Sequence, residues 1–230
     1  MKRYLIANWK CHKSTDEGRR WFNRFAKLYV PHPEVHVIVA PSLLSLEGLA
    51  AHVASLGLAN VFLAAQDISP FPKGSYTGAV AADMVARLVR YVIVGHSERR
   101  RYFHETNGDV VNKVAELIDA RLVPIVCVDS SNALAQLGAL DDTRSEPLLV
   151  AFTPVEGMTA KFPELPARVA ESVGRIQQLF NVWPVVYGGS VQPDNAGSYL
   201  HLSQLSGVFV GAASLDPDSF WAICRQAVPV

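Results

Sequence analysis

The chain has 230 residues, of which 50% are hydrophobic and 18% are charged, and its 21 Lys and Arg residues balance its 21 Asp and Glu residues. This length and composition are typical of one globular domain, and the balanced charge provides no global field that would attract nucleic acid or an anionic membrane surface. No apolar run is long enough to span a membrane, and the amino terminus has no signal-peptide pattern. We therefore expect one domain over residues 1–230, with no nucleic-acid or membrane partner.

Short apolar runs recur along the whole chain, and each is rich in Val, Ile, Leu or Ala and bounded by turn residues. They lie at 3–8, 36–41, 61–67, 91–97, 123–129, 147–154, 184–190 and 207–214. Near-continuous apolarity, without alternation of polar residues, is typical of strands buried on both faces and so indicates a parallel sheet. The starts of these runs are roughly 23 to 37 residues apart, which leaves room for one crossover helix after each strand.

Amphipathic spacing predicts helices over 15–30, 78–90 and 164–180, and a short helix over about 131–140. The apolar residues expected on the buried faces of the three longer helices are Trp21, Phe22, Phe25, Leu28 and Tyr29; Val80, Met84, Val85 and Leu88; and Leu165, Val169, Val173, Ile176 and Leu179. Eight units of strand and helix predict an α/β fold of the (β/α)8 barrel type, with a doubly wound open sheet as the alternative.

A barrel of this type places its functional groups at the carboxyl ends of its strands. The polar or small residues at the predicted ends are Asn8, Lys10, Ser42, Gln66, His96, Ser97, Asp129, Thr153, Gly189, Ser190, Gly211 and Ser214. Cys11, Cys127 and Cys224 are scattered and form no C-x-x-C pair. This favours a reducing cytoplasm over a disulfide framework and argues against a zinc site.

Two groups at these strand ends suggest the binding of an anion. Lys10 would place an ammonium group on the active face, although a solvated surface lysine is the alternative. If Ser97 caps a helix that starts at Glu98, His96 faces the amino terminus of that helix, which favours its neutral ring. A lone histidine at a strand end is otherwise more often structural.

Gly188-Gly189-Ser190 and Gly211-Ala212 would allow the close backbone approach that a phosphate needs. The alternative is that these residues only form tight turns.

Four motifs in order resemble the triosephosphate isomerase family: Asn8-Trp9-Lys10, Gly95 to Arg100 (GHSERR), Tyr187 to Val191 (YGGSV) and Val210 to Leu215 (VGAASL). They run from strand 1 to strand 8, so the resemblance covers essentially the whole chain. It implies a cytoplasmic, cofactor-free and metal-free homodimer that binds dihydroxyacetone phosphate and glyceraldehyde 3-phosphate in glycolysis and gluconeogenesis.

The resemblance also implies roles for particular residues. Lys10 and neutral His96 would act on the substrate carbonyl, a role known for the family's histidine, while Glu98 would be a supporting carboxylate. The residues implied in substrate binding are Asn8, Lys10, Gly157, Gly189, Ser190, Gly211 and Ala212. The long loop after strand 3, with Gln66, Tyr76 and Thr77, would contact the neighbouring subunit, although Ala79 replaces a family glutamate there.

The chain departs from the family at the end of strand 6. The family has a glutamate there, which abstracts the proton beside the carbonyl, whereas the alignment through Ala151 and Pro154 places Thr153 at that position. A threonine hydroxyl cannot act as this base, and general-base catalysis contributes about 10²- to 10⁴-fold, which is roughly 3 to 5 kcal/mol. The following loop is shorter than the family's glycine-rich lid, and Asp129 follows strand 5 where the family has a Gly-Glu pair. Ala212 replaces a glycine, which matters only if its φ is positive.

We expect a triosephosphate-isomerase-like barrel that binds a triose phosphate or a related small phosphorylated ligand and has strongly reduced or no isomerase activity. Two alternatives stay open. One is a working isomerase whose base has moved to Glu156, three residues after Thr153. The other is a non-catalytic sugar-phosphate-binding or regulatory barrel.

Overall fold

The structure, a computed structural model, describes residues 2–154, 162–180 and 183–228. Its strands are β1 (Arg3–Asn8), β2 (Val35–Ala40), β3 (Val61–Ala65), β4 (Tyr91–Val94), β5 (Val123–Val128), β6 (Leu149–Phe152), β7 (Val185–Tyr187) and β8 (Gly207–Val210). Each strand pairs in parallel with the next, and β8 pairs with β1. The expected (β/α)8 barrel is therefore confirmed, and the open-sheet alternative is wrong.

Helices on the outside of the barrel connect the strands. They are α1 (Thr15–Leu28), α2 (Leu43–Leu56), α3 (Ala82–Val85), α4 (Ser97–Phe103), α5 (Asn107–Asp119), α6 (Ala133–Gly138), α7 (Pro166–Phe180), α8 (Ala196–Leu200) and α9 (Pro217–Cys224). Short 3₁₀ helices cover Asp141–Thr143, Ala212–Leu215 and Arg225–Ala227. Among the described residues, no helix is long and apolar enough to cross a membrane.

Alternate residues of the strands fill two separate parts of the core. Ile6, Ile93, Ile125 and Phe209 belong to the cluster inside the barrel, while neighbours such as Leu5 pack outward against the helices. This alternation follows from the period of two along a strand, and it explains why both faces of the strands are apolar in sequence. The barrel interior is thus a packed core, and polar chemistry is restricted to its ends.

The predicted helix over 78–90 is mostly wrong, because α3 spans only Ala82–Val85. Gly78 has a φ of 84°, and the Val80 carbonyl accepts a hydrogen bond from the Ser69 amide, which closes the loop after β3. The first residues of the predicted helix therefore belong to that loop. Met84 is more than half exposed and does not face the core.

The buried face of α7 also differs from the prediction at both of its ends. Val169, Val173 and Ile176 are buried as expected, but Leu165 and Leu179 are exposed. Leu165 precedes the first residue of the helix, and Phe180 takes the final buried position in place of Leu179. The aromatic ring of Phe180 packs against that of Trp183, with 6.4 Å between the ring centroids.

A buried ion network fixes the loop after β3 to α4 and α5. The Lys113 ammonium lies 2.7 Å from an oxygen of Asp67 and 2.5 Å from an oxygen of Glu105. Arg99 pairs with the same two carboxylates, at 2.8 Å and 3.4 Å. Burial raises the pKa of Asp67, and the nearby Lys113 opposes that shift. Two carboxylates can share this buried space only because two cations lie between them.

Replacing Lys113 by Met is expected to lower the free energy of unfolding by about 3–5 kcal/mol, because it leaves Asp67 and Glu105 with one cation between them. Denaturant unfolding of the wild type and the variant measures this loss. Arg175→Met is the matched control, since it breaks the exposed pair with Glu171 and should cost less than about 1 kcal/mol. Equal losses in the two variants would contradict the structural role given to the buried network.

Candidate active site

The carboxyl ends of the strands surround a cavity of about 670 Å³. Its lining includes these residues that sequence analysis singled out: Lys10, His96, Thr153, Gly189, Ser190, Gly211 and Ala212. Asn8, Gln66 and Glu98 contact or neighbour lining residues without lining the cavity themselves. Gly157 and Glu156 lie outside the described residues. The cavity thus brings together side chains from β1, β4 and β6 with backbone from the loops after β7 and β8.

Lys10 lies two residues beyond β1 with a left-handed backbone conformation, φ 52°. Its amide donates to Asn8 Oδ1 at 3.0 Å, and its carbonyl accepts from Gln66 Nε2 at 2.8 Å. Left-handed backbone is unfavourable for a residue with a side chain and persists only where its surroundings hold it. These two contacts provide such a hold, and the ammonium reaches Glu98 Oε1 at 2.5 Å on the far side of the barrel mouth.

His96 is buried at the start of α4 and is itself the residue that caps this helix. Its Nδ1 accepts a hydrogen bond from the Glu98 amide at 3.2 Å, and the helix begins at Ser97. The prediction that Ser97 is the cap is therefore wrong, because the imidazole takes the role of the capping acceptor. The Ser97 hydroxyl is instead buried without a hydrogen-bond partner among the described residues.

The charge of the His96 ring follows from this position. Burial lowers the pKa of His96 to about 4, against a partial opposing effect of Glu98. Since Nδ1 is a hydrogen-bond acceptor, the neutral ring carries its proton on Nε2. Nε2 makes no hydrogen bond to any described residue, so it is available as a donor to a molecule in the cavity.

Thr153 follows directly after β6 and is buried. Its amide donates to the Val128 carbonyl at 2.7 Å, which extends the pairing of β6 with β5 by one residue. Its hydroxyl makes a long contact of 3.4 Å with the same carbonyl, and its methyl carbon lies against Gly188. The side chain is short and neutral, and it lines the cavity beside Lys10 and His96.

Backbone amides of the loops after β7 and β8 also line the cavity. The N–H groups of Gly189, Gly211 and Ala212 donate no hydrogen bond to the described part of the chain. Ser190 has a left-handed backbone, φ 49°, while Ala212 begins a 3₁₀ helix and does not have a positive φ. The methyl group of Ala212 therefore adds no backbone strain, and amides that donate to no described residue are suited to hold an anion.

Gly189 is required by the close approach of a tyrosine. The Tyr187 hydroxyl donates to the Gly189 carbonyl at 3.1 Å, and any Cβ at position 189 would collide with that hydroxyl. Tyr187 also accepts a hydrogen bond from the Glu164 amide, and the Tyr199 hydroxyl donates to the Glu164 carbonyl at 2.6 Å. The residue patterns predict no role for these two tyrosines, although Tyr187 belongs to the YGGSV motif. Together they fix the chain where it returns from β6.

The loop after β3 lies away from the cavity except at its first residue. Gln66 donates to the carbonyls of Lys10 and Ala40, both at 2.8 Å, so its amide is used inside the chain. Residues 71–79 are exposed, and the rings of Phe71 and Tyr76 stack at 4.7 Å near the tip. Thr77 is exposed beside them. Contact of this loop with a second subunit remains a prediction.

Asp129 follows β5, and its carboxylate accepts hydrogen bonds from the turn that it begins. One carboxylate oxygen accepts from the Ser131 amide at 2.8 Å and the Asn132 amide at 3.1 Å, and the other accepts from the Asn132 side chain. The carboxylate therefore organises the start of the loop before α6. No group of three or more His, Cys, Asp or Glu residues is placed to hold a metal ion within the described residues.

Fold and cavity together define a (β/α)8 barrel with a candidate active site at the carboxyl ends of its strands, where barrel enzymes carry their chemistry. The family model of triosephosphate isomerase matches residues 3–227. A triosephosphate isomerase of Stenotrophomonas maltophilia is 36% identical, with 99% of each chain covered, and one of Prochlorococcus marinus is 34% identical, with 98% of each covered. A third, from Symbiobacterium thermophilum, is 33% identical, with 97% of this chain and 96% of the relative covered. The chain belongs to the triosephosphate isomerase family.

The buried neutral histidine makes the stability of the protein depend on pH in a defined direction. Between about pH 6.5 and 4 the unfolded chain binds a proton at residue 96 that the native state does not, so stability falls as pH falls through this range. From pH 7.5 to 5 this group should account for a loss of roughly 2 kcal/mol. The difference between the unfolding free energies at pH 7.5 and pH 5 should therefore be smaller for His96→Gln than for the wild type.

The control for this measurement is His201→Gln at an exposed position, which should retain the full difference between the two pH values. A His96→Gln variant with the same pH dependence as the wild type would show that the ring is not held neutral by burial.

Proposed function

We propose that this protein binds a triose phosphate, such as dihydroxyacetone phosphate or glyceraldehyde 3-phosphate, or a related small phosphorylated ligand, and that its isomerase activity is strongly reduced or absent. The observation that carries the second part is Thr153, a neutral side chain at the position where the family resemblance implies the catalytic base. We further propose that the protein acts in the cytoplasm and as a homodimer.

The ligand class is supported by two groups of hydrogen-bond donors that line the cavity. The amides of Gly189, Gly211 and Ala212 donate to no described residue and suit a phosphate group. Nε2 of His96 suits the carbonyl oxygen of a triose, and the Lys10 ammonium adds positive charge to the same cavity. The relatives named triosephosphate isomerase support the same class of ligand.

Reduced activity is supported by the positions and partners of the carboxylates near the cavity. Isomerisation requires removal of a proton from the carbon beside a carbonyl, and a threonine hydroxyl is not a base for this step near neutral pH. Glu98 is paired with Lys10, and Asp129 is held by its own turn. Asp194 lines the cavity but is exposed on the loop after β7. None of these three occupies the place of Thr153.

Thr153→Glu is expected to raise isomerase turnover by about 10²- to 10⁴-fold, because it restores a base beside Lys10 and His96. A coupled assay that follows glyceraldehyde 3-phosphate formation compares it with the wild type. Thr153→Gln is the matched control, with similar size and no charge, and it should restore nothing. Wild-type turnover at or above ~10 s⁻¹, typical of an enzyme, would contradict the proposal.

Homodimer formation is supported by the exposed stacked pair of Phe71 and Tyr76 at the end of a long loop. Aromatic residues are enriched at protein interfaces, and their exposure in a single chain leaves apolar surface to be covered. A cytoplasmic location is supported by three free thiols, Cys11, Cys127 and Cys224, the last two of which are buried.

Binding of a phosphorylated ligand is tested apart from catalysis. Glycerol 3-phosphate at about 100 times its dissociation constant should add about 2.7 kcal/mol to the free energy of unfolding, and so raise the melting temperature. Gly211→Pro removes one amide donor and should abolish this gain. Absence of any stabilisation of the wild type by phosphorylated ligands would favour a scaffold or regulatory barrel without this site.

A further inference from the structure

A second, smaller cavity of about 190 Å³ lies at the amino-terminal end of the barrel. Tyr4, His36 and Tyr91 line it from the starts of β1, β2 and β4, and Pro147 and Pro184 line it from the chain just before β6 and β7. The candidate active site lies at the other end of the same strands. The proposed function therefore makes no use of this smaller cavity, and any ligand of the cavity depends on its own lining residues.

Trp183 lines this cavity and carries a buried hydrogen-bond donor without an acceptor. The residue is 4% exposed, and its ring packs against that of Phe180. Its indole Nε1 is buried and donates to no group in the described part of the chain. A buried N–H that lacks an acceptor is costly, and native structures nearly always provide one, from the protein, from water or from a ligand. An acceptor bound in the cavity would satisfy this donor.

Two cations without a carboxylate partner line the same cavity. Neither Lys2 nor Arg90 forms an ion pair with a described residue. The guanidinium carbon of Arg90 lies 5.1 Å from the centre of the Phe62 ring and 5.9 Å from that of the Tyr91 ring. A guanidinium that stacks on aromatic rings keeps its N–H edge for a planar oxyanion. Burial, and after it the charges of Lys2 and Arg90, lowers the pKa of His36, so the positive field of both cations reaches the end of the barrel.

The cavity has a small net positive charge. Glu146 is the one carboxylate among its described lining residues, and it is exposed, so the two cations outnumber it by one. His36 adds no charge near neutral pH, because its pKa is lowered. A monoanion balances this charge, whereas a phosphate dianion would bring excess negative charge beside Glu146. An arginine also binds a carboxylate through two parallel hydrogen bonds, which favours a carboxylate as the anionic group.

The remaining lining favours a small, flat and apolar body for the ligand. The rings of Pro147, Trp183 and Pro184 and the side chains of Val123 and Leu148 belong to the lining. Pockets for drug-sized ligands are about 300–1,000 Å³, and this cavity is smaller, so it suits a ligand with little more than a single ring. Rigid rings on both sides of the contact also lose little conformational freedom on binding.

We propose that the amino-terminal end of the barrel is a binding site for a small aromatic monocarboxylate. Arg90 and Lys2 supply the positive charge that the carboxylate requires, and the indole N–H of Trp183 gains an acceptor in the same cavity. The ring of the ligand packs on the apolar part of the lining. The site is separate from the candidate active site, so it is occupied whether or not that site binds a phosphorylated ligand.

Titration of the full chain, labelled with nitrogen-15 at its tryptophans, tests the inference through the indole N–H resonances. The chain has four tryptophans, and the resonance that is lost in Trp183→Phe is that of Trp183. The probes are benzoate and benzamide, which have similar size and shape and differ in charge. We expect benzoate to move the Trp183 resonance downfield and to bind at least tenfold more tightly than benzamide. The indole of Trp9, which is also buried without a partner among the described residues, should not move.

Two changes of charge should alter the affinity for benzoate in opposite directions. Arg90→Met keeps an unbranched side chain on the aromatic rings and should weaken binding at least tenfold. Glu146→Gln removes the opposing carboxylate and should strengthen binding about threefold. Arg87→Met is the matched control, since Arg87 is exposed and lies beside Glu47 outside the cavity, and it should leave the affinity unchanged.

Equal affinity for benzoate and benzamide, or an unchanged Trp183 resonance at about 20 mM benzoate, overturns the inference. Inorganic phosphate that moves this resonance as far as benzoate does would also overturn it, because the site would then accept any small anion. If Arg90→Met fails to fold, Glu146→Gln still provides a test. Unchanged or weaker binding of benzoate by that variant contradicts the charge balance on which the site depends.

Discussion

Eight parallel strands leave no unpaired sheet edge only if the last strand pairs with the first, and here β8 pairs with β1 along Tyr4 to Ala7. Closure places every carboxyl end on one rim, so residues far apart in sequence, such as Lys10 and Gly211, line one cavity. The packed interior of Ile, Val, Leu and aromatic side chains leaves no room for chemistry below that rim. The site is therefore a consequence of closure, and its composition depends on what each strand end supplies.

Two residues of the rim have a backbone conformation that the surrounding contacts must enforce. Lys10 and Ser190, which both line the cavity, have a positive φ. Lys10 is held by Asn8 and Gln66, and the Ser190 carbonyl accepts a hydrogen bond from Asn195. Strain of this kind is common where a backbone must present a side chain or an amide to a ligand. Both residues are thus held by hydrogen bonds in a conformation that the sequence alone would not favour.

Sequence alone predicted the strands and the barrel because the apolar runs and their spacing are imposed by burial on both faces. Thr153 was also found from sequence, since its position follows from strand 6 and needs no side-chain geometry. The wrong predictions concern positions where two neighbouring residues could make the same hydrogen bond or core contact. The helix over 78–90 loses residues to a loop closed by Ser69, Ser97 yields its capping role to His96, and Phe180 displaces Leu179 from the core. In each case two neighbouring residues could make the same contact, and the fold places one of them closer to the partner. The sequence pattern does not contain these distances.

Several residues of the candidate site also have structural roles. His96 caps α4, Glu98 supplies the amide for that cap and pairs with Lys10, and Gly189 accommodates Tyr187. Loss of any of them would disturb the rim whether or not the protein catalyses a reaction. The side chain of residue 153 is different, because its amide maintains the pairing with β5 while its hydroxyl makes only one long contact. The presence of Lys10 and His96 is therefore weak evidence for catalysis, and the residue at position 153, whose hydroxyl makes no short hydrogen bond to a described residue, is the informative one.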